Sequence, residues 1–264
     1  MKTLFVASEA HPLIKTGGLG DVAGALPVAL RRLRNDVRLL LPAYPRAKEA
    51  IKSVKSVGEL KLDGITESAT LLQGRFPGAS LPVYLVDAPT LFERSGDPYT
   101  APDGTGWPDN PQRFALLARA AAAVALDQME LEWQPDIVHC NDWQTGLVPV
   151  FLAAHSPRPR TMFTIHNLAY QGVFNRDTFK DLQLPESLWT MEALEFHGNF
   201  SFIKGGIAFA DAVTTVSPTY AREICHHLFG YGLEGLLRSR ADHLFGTLNG
   251  VDYHQWNPHD DPHL

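Results

Sequence analysis

The sequence predicts an α/β fold in which a mainly parallel sheet is covered by helices on both faces. Short runs of β-branched and aromatic residues alternate along the chain with segments whose apolar residues recur at helical spacing, and this alternation is typical of parallel sheets. The chain has 264 residues, of which 45% are apolar and 20% charged. This is enough for one large domain of the predicted class or two small ones.

Composition and charge argue against several classes of partner. The formal net charge is -6 and no dense basic run occurs, which disfavours nucleic acid or an anionic membrane. No segment has the apolar length of a membrane-spanning helix, and the chain starts directly in a predicted strand without a signal-peptide pattern. We therefore expect a cytoplasmic protein. Cys140 and Cys225 are too few for a disulfide scaffold and are expected to be reduced.

The first predicted unit is a strand, a loop and a helix. Residues 3–7 are a short apolar run, and the residues of 21–34 that recur at helical spacing are Val22, Ala25, Leu26, Ala29, Leu30 and Leu33. A second strand is predicted over 37–41, and Pro42 and Pro45 mark its exit. Strands that favour an antiparallel excursion follow at 57–62, 69–76 and 82–87.

A long irregular segment is predicted over 94–112. Loops of this length in a compact domain tend to bind ligands or to be disordered. Tyr99 and Trp107 suit stacking on sugar rings, because a pyranose presents an apolar face of C–H groups to an aromatic ring. The alternative is that one or both rings tuck inward and anchor the loop.

Two strands in the second half of the chain end in polar residues. An alanine-rich helix is predicted over 112–130, and the strand that follows it meets Asp142 at its carboxyl end. The strand 161–165 ends in His166 and Asn167. Because open parallel sheets bind ligands beyond the carboxyl ends of their strands, these residues are expected to lie at a functional site.

The last part of the chain continues the alternation. Helices are predicted over 192–198 and 201–210, with a strand over 212–216 and a helix capped by Ser217 with Pro218 at its first position. His226 and His227 are expected on a solvated helix face. A final strand, 244–248, precedes Asn249-Gly250, which alone indicates a turn.

The segment from Lys15 to Val22 predicts an anion site. Gly17, Gly18 and Gly20 let the main chain bend closely and leave its N–H groups bare, and the following helix start adds partial positive charge. A phosphate suits such a loop best, and Lys15 can reach it. The alternative is a tight turn that only packs the helix on the sheet.

Two known phosphate motifs do not fit this loop. A Walker A loop needs its lysine after the spaced glycine, whereas Lys15 precedes the glycines. The letters from Gly18 to Ala23 match the dinucleotide pattern G-x-G-x-x-A, but about ten residues separate the first strand from that glycine. The acidic residue that would bind a ribose after the second strand is also missing. NAD binding is therefore disfavoured.

His139, Cys140 and Asp142 are metal-ligand types within one short segment. Alternation along a strand puts His139 on one face and Cys140 with Asp142 on the other, so that three ligands could not converge without distortion. We expect neither a metal site nor another cofactor.

Several motifs together resemble one family. The letters K-T-G-G-L at 15–19, with Ser8-Glu9 before them and Gly20-Asp21-Val22 after them, resemble the N-terminal signature of bacterial glycogen synthases and plant starch synthases. The letters H-N-L-A-Y-Q-G at 166–172 are similar to a second motif of that family, and 212–223 closely matches another segment. Its members are retaining glucosyltransferases of the glycosyltransferase-B fold that use ADP-glucose. The resemblance covers essentially the whole chain and implies a Rossmann-like domain with that activity.

The resemblance also implies roles for single residues. Those implied to bind the donor ADP-glucose are Lys15, Gly17, Gly18 and Asn249. Those implied to line the cleft toward the acceptor, an α-1,4-glucan, are Glu9, Asp21, Tyr99 and Asn167. The implied catalytic residues are His166, beside the transferred glucose, Asp142 and Lys15. The family needs no catalytic metal. Gln144 stands where many relatives carry histidine, so a role specific to that histidine does not transfer.

The resemblance further implies an enzyme of two domains. Residues 1–254 are expected to be the N-terminal, acceptor-side domain, and 255–264 a linker toward a C-terminal nucleotide-binding domain whose sequence does not follow Leu264. The isolated chain is therefore expected to be inactive. The alternative is a non-catalytic glucan-binding module, which would bind maltooligosaccharide without affinity for a nucleotide.

Overall fold

The computed structural model describes residues 1–62, 64, 67–251 and 258–259. Its strands are β1 (Lys2–Val6), β2 (Asp36–Pro42), β3 (Lys55–Glu59), β4 (Thr70–Arg75), β5 (Pro82–Asp87), β6 (Ile137–Asn141), β7 (Arg160–Ile165), β8 (Val173–Phe174), β9 (Glu195–Phe196), β10 (Asn199–Ser201), β11 (Ala212–Thr215) and β12 (Leu244–Gly246). Its helices are α1 (Gly18–Arg32), α2 (Pro45–Ala50), α3 (Pro89–Phe92), α4 (Asn110–Ala125), α5 (Leu147–Ala153), α6 (Arg176–Asp181), α7 (Phe202–Phe209), α8 (Pro218–Glu223) and α9 (Glu234–Ser239). The predicted linker 255–264 and its boundary at 254 lie outside the described residues, apart from Pro258 and His259.

The main sheet has nine strands in the order β12-β11-β7-β6-β1-β2-β5-β4-β3. Its strands from β12 to β5 are parallel, whereas β4 and β3 are antiparallel to their neighbours. The mainly parallel sheet is thus confirmed, and the antiparallel excursion is confined to β3 and β4. From β1 the chain first builds β2 to β5 on one side and then returns to add β6, β7, β11 and β12 on the other side, so the sheet reverses its direction of growth between β1 and β6. Open α/β sheets bind their ligands at such a switch point.

The central strands are covered on both faces. Leu4, Phe5 and Val6 of β1 are fully buried, and neighbouring residues of a strand point to opposite faces. The alanine-rich helix of the prediction is α4, which is almost entirely buried and packs on α5. It ends at Ala125, earlier than predicted. Among the described residues, no helix is both long enough and apolar enough to cross a lipid bilayer.

The helix predicted over 192–198 is wrong. Strands β9 and β10 form a hairpin there, in a second sheet with the order β8-β10-β9. The two residues between them, His197 and Gly198, have φ values of 52° and 78°, which a two-residue hairpin turn requires and a helix cannot accommodate. The hairpin is held by aromatic packing, because the Phe200 ring lies 5.9 Å from Phe174 and 5.3 Å from Phe179.

The helix starts in this half follow capping rules. The Ser217 side chain accepts a hydrogen bond from the Tyr220 N–H at 2.9 Å, and Pro218 is the first residue of α8, as predicted. Ser201 caps α7 in the same way. The prediction for His226 and His227 is wrong in one respect, because these exposed residues lie beyond the end of α8.

Candidate active site

Three strand ends meet at the switch point of the main sheet. Strand β6 lies between β1 and β7, so Asp142, which follows β6, has as neighbours Glu9, which follows β1, and His166, which follows β7. The polar residues that the sequence predicts at the carboxyl ends of these strands are therefore brought together. The loop 15–18 and the start of α1 join them through Glu9.

Asp142 is held in an unusual backbone conformation. Its φ of 56° and ψ of -179° lie in a region that is essentially reserved for glycine and costs other residues about 1–3 kcal/mol. In this conformation the carboxylate faces the end of β7. Its Oδ1 accepts hydrogen bonds from the N–H groups of His166 at 2.7 Å and Asn167 at 3.4 Å. Burial raises the Asp142 pKa to about 7, and the negative charge of Glu9 acts in the same direction.

His166 is neutral at physiological pH. Burial lowers the pKa of its imidazole to about 4. Its Nε2 lies 3.1 Å from the side-chain oxygen of Asn141, a buried residue that sequence reasoning did not single out. Asn167 is exposed and its side-chain oxygen accepts from the Ala169 N–H at 3.0 Å, so it fixes the turn after His166.

The prediction that the glycine-rich loop has bare amides is wrong for two of its residues, because the N–H groups of Thr16 and Gly17 donate to Glu9. The Glu9 side chain is almost completely buried, and Oε2 accepts hydrogen bonds from the N–H and the hydroxyl of Thr16 and from the N–H of Gly17 at 3.4 Å. A buried carboxylate needs such donors, and this loop supplies the nearest ones. Burial still raises the Glu9 pKa, although the hydrogen bonds from Thr16, Gly17 and Tyr99 lower it in part.

The first turn of α1 remains open. The helix begins at Gly18, earlier than predicted, and no side chain caps it at Gly17. The first N–H groups of a helix have no partner within the helix, so Gly18 and Leu19 present theirs outward. A Cβ atom placed on Gly17 or Gly18 would meet nothing within 4 Å. The anion site that the sequence predicts between Lys15 and Val22 is therefore limited to the first turn of α1.

Lys15 and Asp21 form an ion pair beside that turn. The Lys15 ammonium lies 2.7 Å from the Asp21 carboxylate, and both side chains are about half exposed, at 41% and 53%. The lysine stem passes close to Gly20, where an added Cβ would lie 3.0 Å from it and 3.3 Å from Glu9 Oε2. Gly20 therefore allows Lys15 and Glu9 to approach each other.

The aromatic residues of the 94–112 segment turn inward, as the alternative prediction had it. The Tyr99 hydroxyl lies 2.6 Å from the Ser8 hydroxyl, and its ring packs 6.0 Å from Phe114. Burial, followed by the charge of Glu9, raises the Tyr99 pKa well above its ordinary value. The Trp107 indole N–H donates to the Asp97 carbonyl at 3.1 Å. Tyr99 thus contacts the floor of the site instead of standing out as a stacking platform.

Arg113 anchors the same segment, and sequence reasoning missed it. This arginine is fully buried in α4, and it donates to the carbonyls of Leu91 at 2.8 Å and Pro98 at 2.7 Å and to the side-chain oxygen of Asn110 at 2.7 Å. The signal was an arginine in the first turn of a predicted core helix, directly before its apolar run. A charge at such a position has to satisfy carbonyls of a neighbouring segment.

A cavity of about 630 Å³ lies between this segment and the end of β2. It is lined on one side by Tyr44 and on the other by Asp97 and Arg113. Ile14 also lines the cavity and pairs with Ala10, the residue after Glu9, so the cavity borders the segment that follows β1. It therefore offers room for a ligand beside the segment that follows Glu9.

Asn249 and His139 are not part of the cluster. Asn249 is exposed and follows β12, the strand at the far edge of the sheet, with β11 and β7 between it and β6. Burial lowers the pKa of His139 to about 3, and its Nε2 bonds to Thr164 at 2.7 Å. Within the described part of the chain, no three His, Cys, Asp or Glu side chains converge so as to hold a metal ion.

Comparison with known proteins confirms the family resemblance. The family described as the starch synthase catalytic domain matches residues 2–239. The glycogen synthase of Thioalkalivibrio sulfidiphilus is 57% identical over 265 residues, which cover 100% of this chain and 55% of that protein. Glycogen synthase 1 of Methylococcus capsulatus is 56% identical over 264 residues, covering 100% of this chain and 53% of that protein. The chain spans about half the length of these curated relatives.

A solved structure shares the fold. The catalytic domain of starch synthase IV from Arabidopsis thaliana, bound to ADP and acarbose, superimposes with a TM-score of 0.84 at 32% sequence identity. The match covers 99% of this chain and 54% of that one. From the family match, the identities and the shared architecture, the chain belongs to the starch synthase catalytic domain family, as the N-terminal motifs indicate.

Proposed function

We propose that this chain is the N-terminal, acceptor-side half of a retaining glucosyltransferase that transfers glucose from ADP-glucose to the 4-hydroxyl of an α-1,4-glucan. The observation that carries the proposal is the convergence of Glu9, Asp142 and His166 at the switch point, beside the open first turn of α1. The glycogen synthase relatives and the ADP and acarbose bound to starch synthase IV support this assignment.

The donor phosphates would bind at the first turn of α1. The N–H groups of Gly18 and Leu19 and the positive end of the helix favour an anion there, and the absence of side chains at Gly17 and Gly18 leaves it room. Lys15 would leave its ion pair with Asp21 and bind the phosphate instead. This positive charge also lets ADP depart without a metal ion, and we propose none.

The glucosyl unit would lie between the tips of β6 and β7. The neutral His166 faces it, and Asp142 fixes the backbone of His166 and Asn167. We propose that Asn249 reaches the donor sugar in the intact enzyme. Front-face attack by the glucan hydroxyl as ADP leaves would retain the anomeric configuration without a carboxylate nucleophile. The cavity between Tyr44 and Asp97 would give the acceptor room beside the segment that follows Glu9.

We expect the isolated chain to have negligible synthase activity. A preorganised site needs all of its donor groups in place, and in the proposed enzyme a second domain would hold most of the nucleotide contacts. Incubating the purified chain with ADP-glucose and maltooligosaccharide tests this expectation. Release of ADP at a rate typical of an enzyme would contradict it.

The substitution Gly18→Ala tests the donor site. The new methyl group enters open space, so the fold is kept, but it takes room from the N–H groups that would receive a phosphate. We expect the affinity for ADP, followed by amide chemical shifts of the purified chain, to fall by about tenfold or more. The matched control is Gly235→Ala in α9, whose added methyl also meets nothing within 4 Å.

Two results would contradict the donor-site assignment. One is equal ADP affinity of Gly18→Ala and Gly235→Ala, and the other is a wild-type chain whose first-turn amides do not respond to millimolar ADP. Binding of maltooligosaccharide without any response to ADP would instead support a non-catalytic glucan-binding module.

A further inference from the structure

The side-chain amide of Asn141 has a fixed orientation. Asn141 is fully buried at the end of β6, and its Nδ2 donates to the Val6 carbonyl at 3.0 Å and to the His139 carbonyl at 3.4 Å. Both partners are carbonyl oxygens, which can only accept hydrogen bonds. The NH2 group must therefore face β1 and its own strand, and the side-chain oxygen must face the other way, toward β7.

That orientation determines which nitrogen of His166 carries the proton. The Nε2 atom of His166 lies 3.1 Å from the Asn141 side-chain oxygen. An amide oxygen cannot donate, so Nε2 must be the donor. A neutral imidazole carries one N–H group, and the other nitrogen, Nδ1, is then left with its lone pair.

We infer that Asn141 is a positioning residue that holds His166 in the Nε2–H tautomer. With the sugar beside His166, as proposed above, Nδ1 can then only accept a hydrogen bond from a hydroxyl. His166 then recognises a group by the proton which that group donates. An ether or a fluorine in the same place would leave Nδ1 unpaired. The ligand part of this inference rests on the proposed function, whereas the tautomer part does not.

Nuclear magnetic resonance of the chain itself measures the tautomer. With 15N-labelled histidine, long-range proton–nitrogen spectra distinguish Nε2–H from Nδ1–H rings, and the His166 signals are assigned by their loss in His166→Gln. We expect wild-type His166 to show a single Nε2–H pattern at neutral pH. An Nδ1–H pattern, or an average of the two tautomers, would overturn the inference without any variant.

Substitutions at Asn141 test its part in holding that tautomer. Asn141→Leu removes the acceptor at similar volume, and we expect His166 to change to an averaged pattern. Asn141→Asp keeps an oxygen facing Nε2, so His166 should keep the proton on Nε2. The matched control is Thr215→Val, which removes another buried hydrogen bond, to the Ile165 carbonyl at 2.8 Å, without touching the ring.

Each outcome of the variant series decides the question. An unchanged pattern in folded Asn141→Leu, or a changed pattern in Thr215→Val, would show that Asn141 does not act on the ring specifically. Should Asn141→Leu fail to fold, an Nδ1–H pattern or an average of the two tautomers in folded Asn141→Asp would equally overturn the inference.

Titration with ADP-glucose tests the ligand part. A hydroxyl that donates to Nδ1 shifts the Nδ1 resonance of His166, and we expect this shift with ADP-glucose and not with ADP alone. Shifts of other resonances without a change at Nδ1 would overturn the ligand part while leaving sugar-nucleotide binding intact. No response anywhere to ADP-glucose would instead count against the proposed function.

Discussion

Asp142 concentrates two energetic costs in one residue. Its backbone adopts a conformation that suits glycine, and burial raises the pKa of its carboxyl group to about 7. In return the carboxylate fixes the N–H groups of His166 and Asn167, which sets the tip of β7. Strain and desolvation at a residue that no structural core requires are typical of a functional position.

Replacing Asp142 by asparagine should change how stability depends on pH. Because the pKa of Asp142 is raised on folding from an ordinary 3.8 to about 7, the folded state binds more protons than the unfolded state between these values. The wild-type free energy of unfolding therefore loses this contribution as pH rises from about 4 to about 7. Asp142→Asn cannot ionise and keeps an oxygen for the His166 N–H.

Urea unfolding at pH 5 and pH 8 measures this difference. We expect the stability of Asp142→Asn relative to wild type to increase by on the order of 2 kcal/mol from the lower to the higher pH. His139 and His166, whose pKa values burial lowers, contribute a slope of the opposite sign, but they do so in both proteins and cancel in the comparison. An equal difference at both pH values would count against the raised pKa.

At the scale of elements, the start of α5 lies against the start of α7. Gly146 precedes α5, and a Cβ atom added to it would lie 2.0 Å from the backbone oxygen of Phe202, the first residue of α7. Backbone can approach backbone this closely only where one partner has no side chain. The turn that follows Asp142 is thereby packed against the aromatic cluster around Phe202 and Trp143.

Gly146→Ala should therefore destabilise the fold. The backbone of α7 cannot move aside as a flexible side chain would, and we expect a loss of roughly 3 kcal/mol in the free energy of unfolding. Gly235→Ala in α9 is the control, since its methyl meets nothing within 4 Å and alanine favours helix by up to about 1 kcal/mol. Urea unfolding of both variants measures the effect, and wild-type stability in Gly146→Ala would show that the two helices can separate.

Which elements could be predicted depended on where their stability comes from. The cap at Ser217 was readable, because a serine followed by proline acts locally. The β9–β10 hairpin was not, because its turn needs positive φ at His197 and its strands are held by rings that are distant in sequence, such as Phe174. Residues 192–198 therefore carry a helical pattern that tertiary packing overrides.

At the scale of the whole molecule, the strand order places the site. Asp142 and His166 could be predicted there because each follows an apolar run and ends a strand. The engagement of Thr16 and Gly17 by Glu9 could not, because it depends on how deeply Glu9 is buried, and no local pattern encodes that. Asn141 was missed for a similar reason, since its partners Val6 and His166 come from other strands.

The same strand order predicts that protection of the amides from hydrogen exchange decreases from the centre of the main sheet to its edge. Strand β1 is central and buried on both faces, whereas β3 is an edge strand of which no residue is fully buried. In native-state hydrogen exchange we expect the amides of Leu4 and Phe5 to exchange at least about 100-fold more slowly than those of β3. Comparable rates in the two strands would show that the sheet opens as one unit.

The antiparallel pair β3–β4 also bears on how the protein behaves in concentrated solution. An exposed edge strand can pair with strands of other molecules. Native proteins prevent this pairing with lysine residues, irregular register or a short edge strand. Here the outermost strand begins with the exposed Lys55, and its register is interrupted between Ser56 and Gly58. That edge strand is a poor template for further strands, which disfavours aggregation through the sheet on this flank.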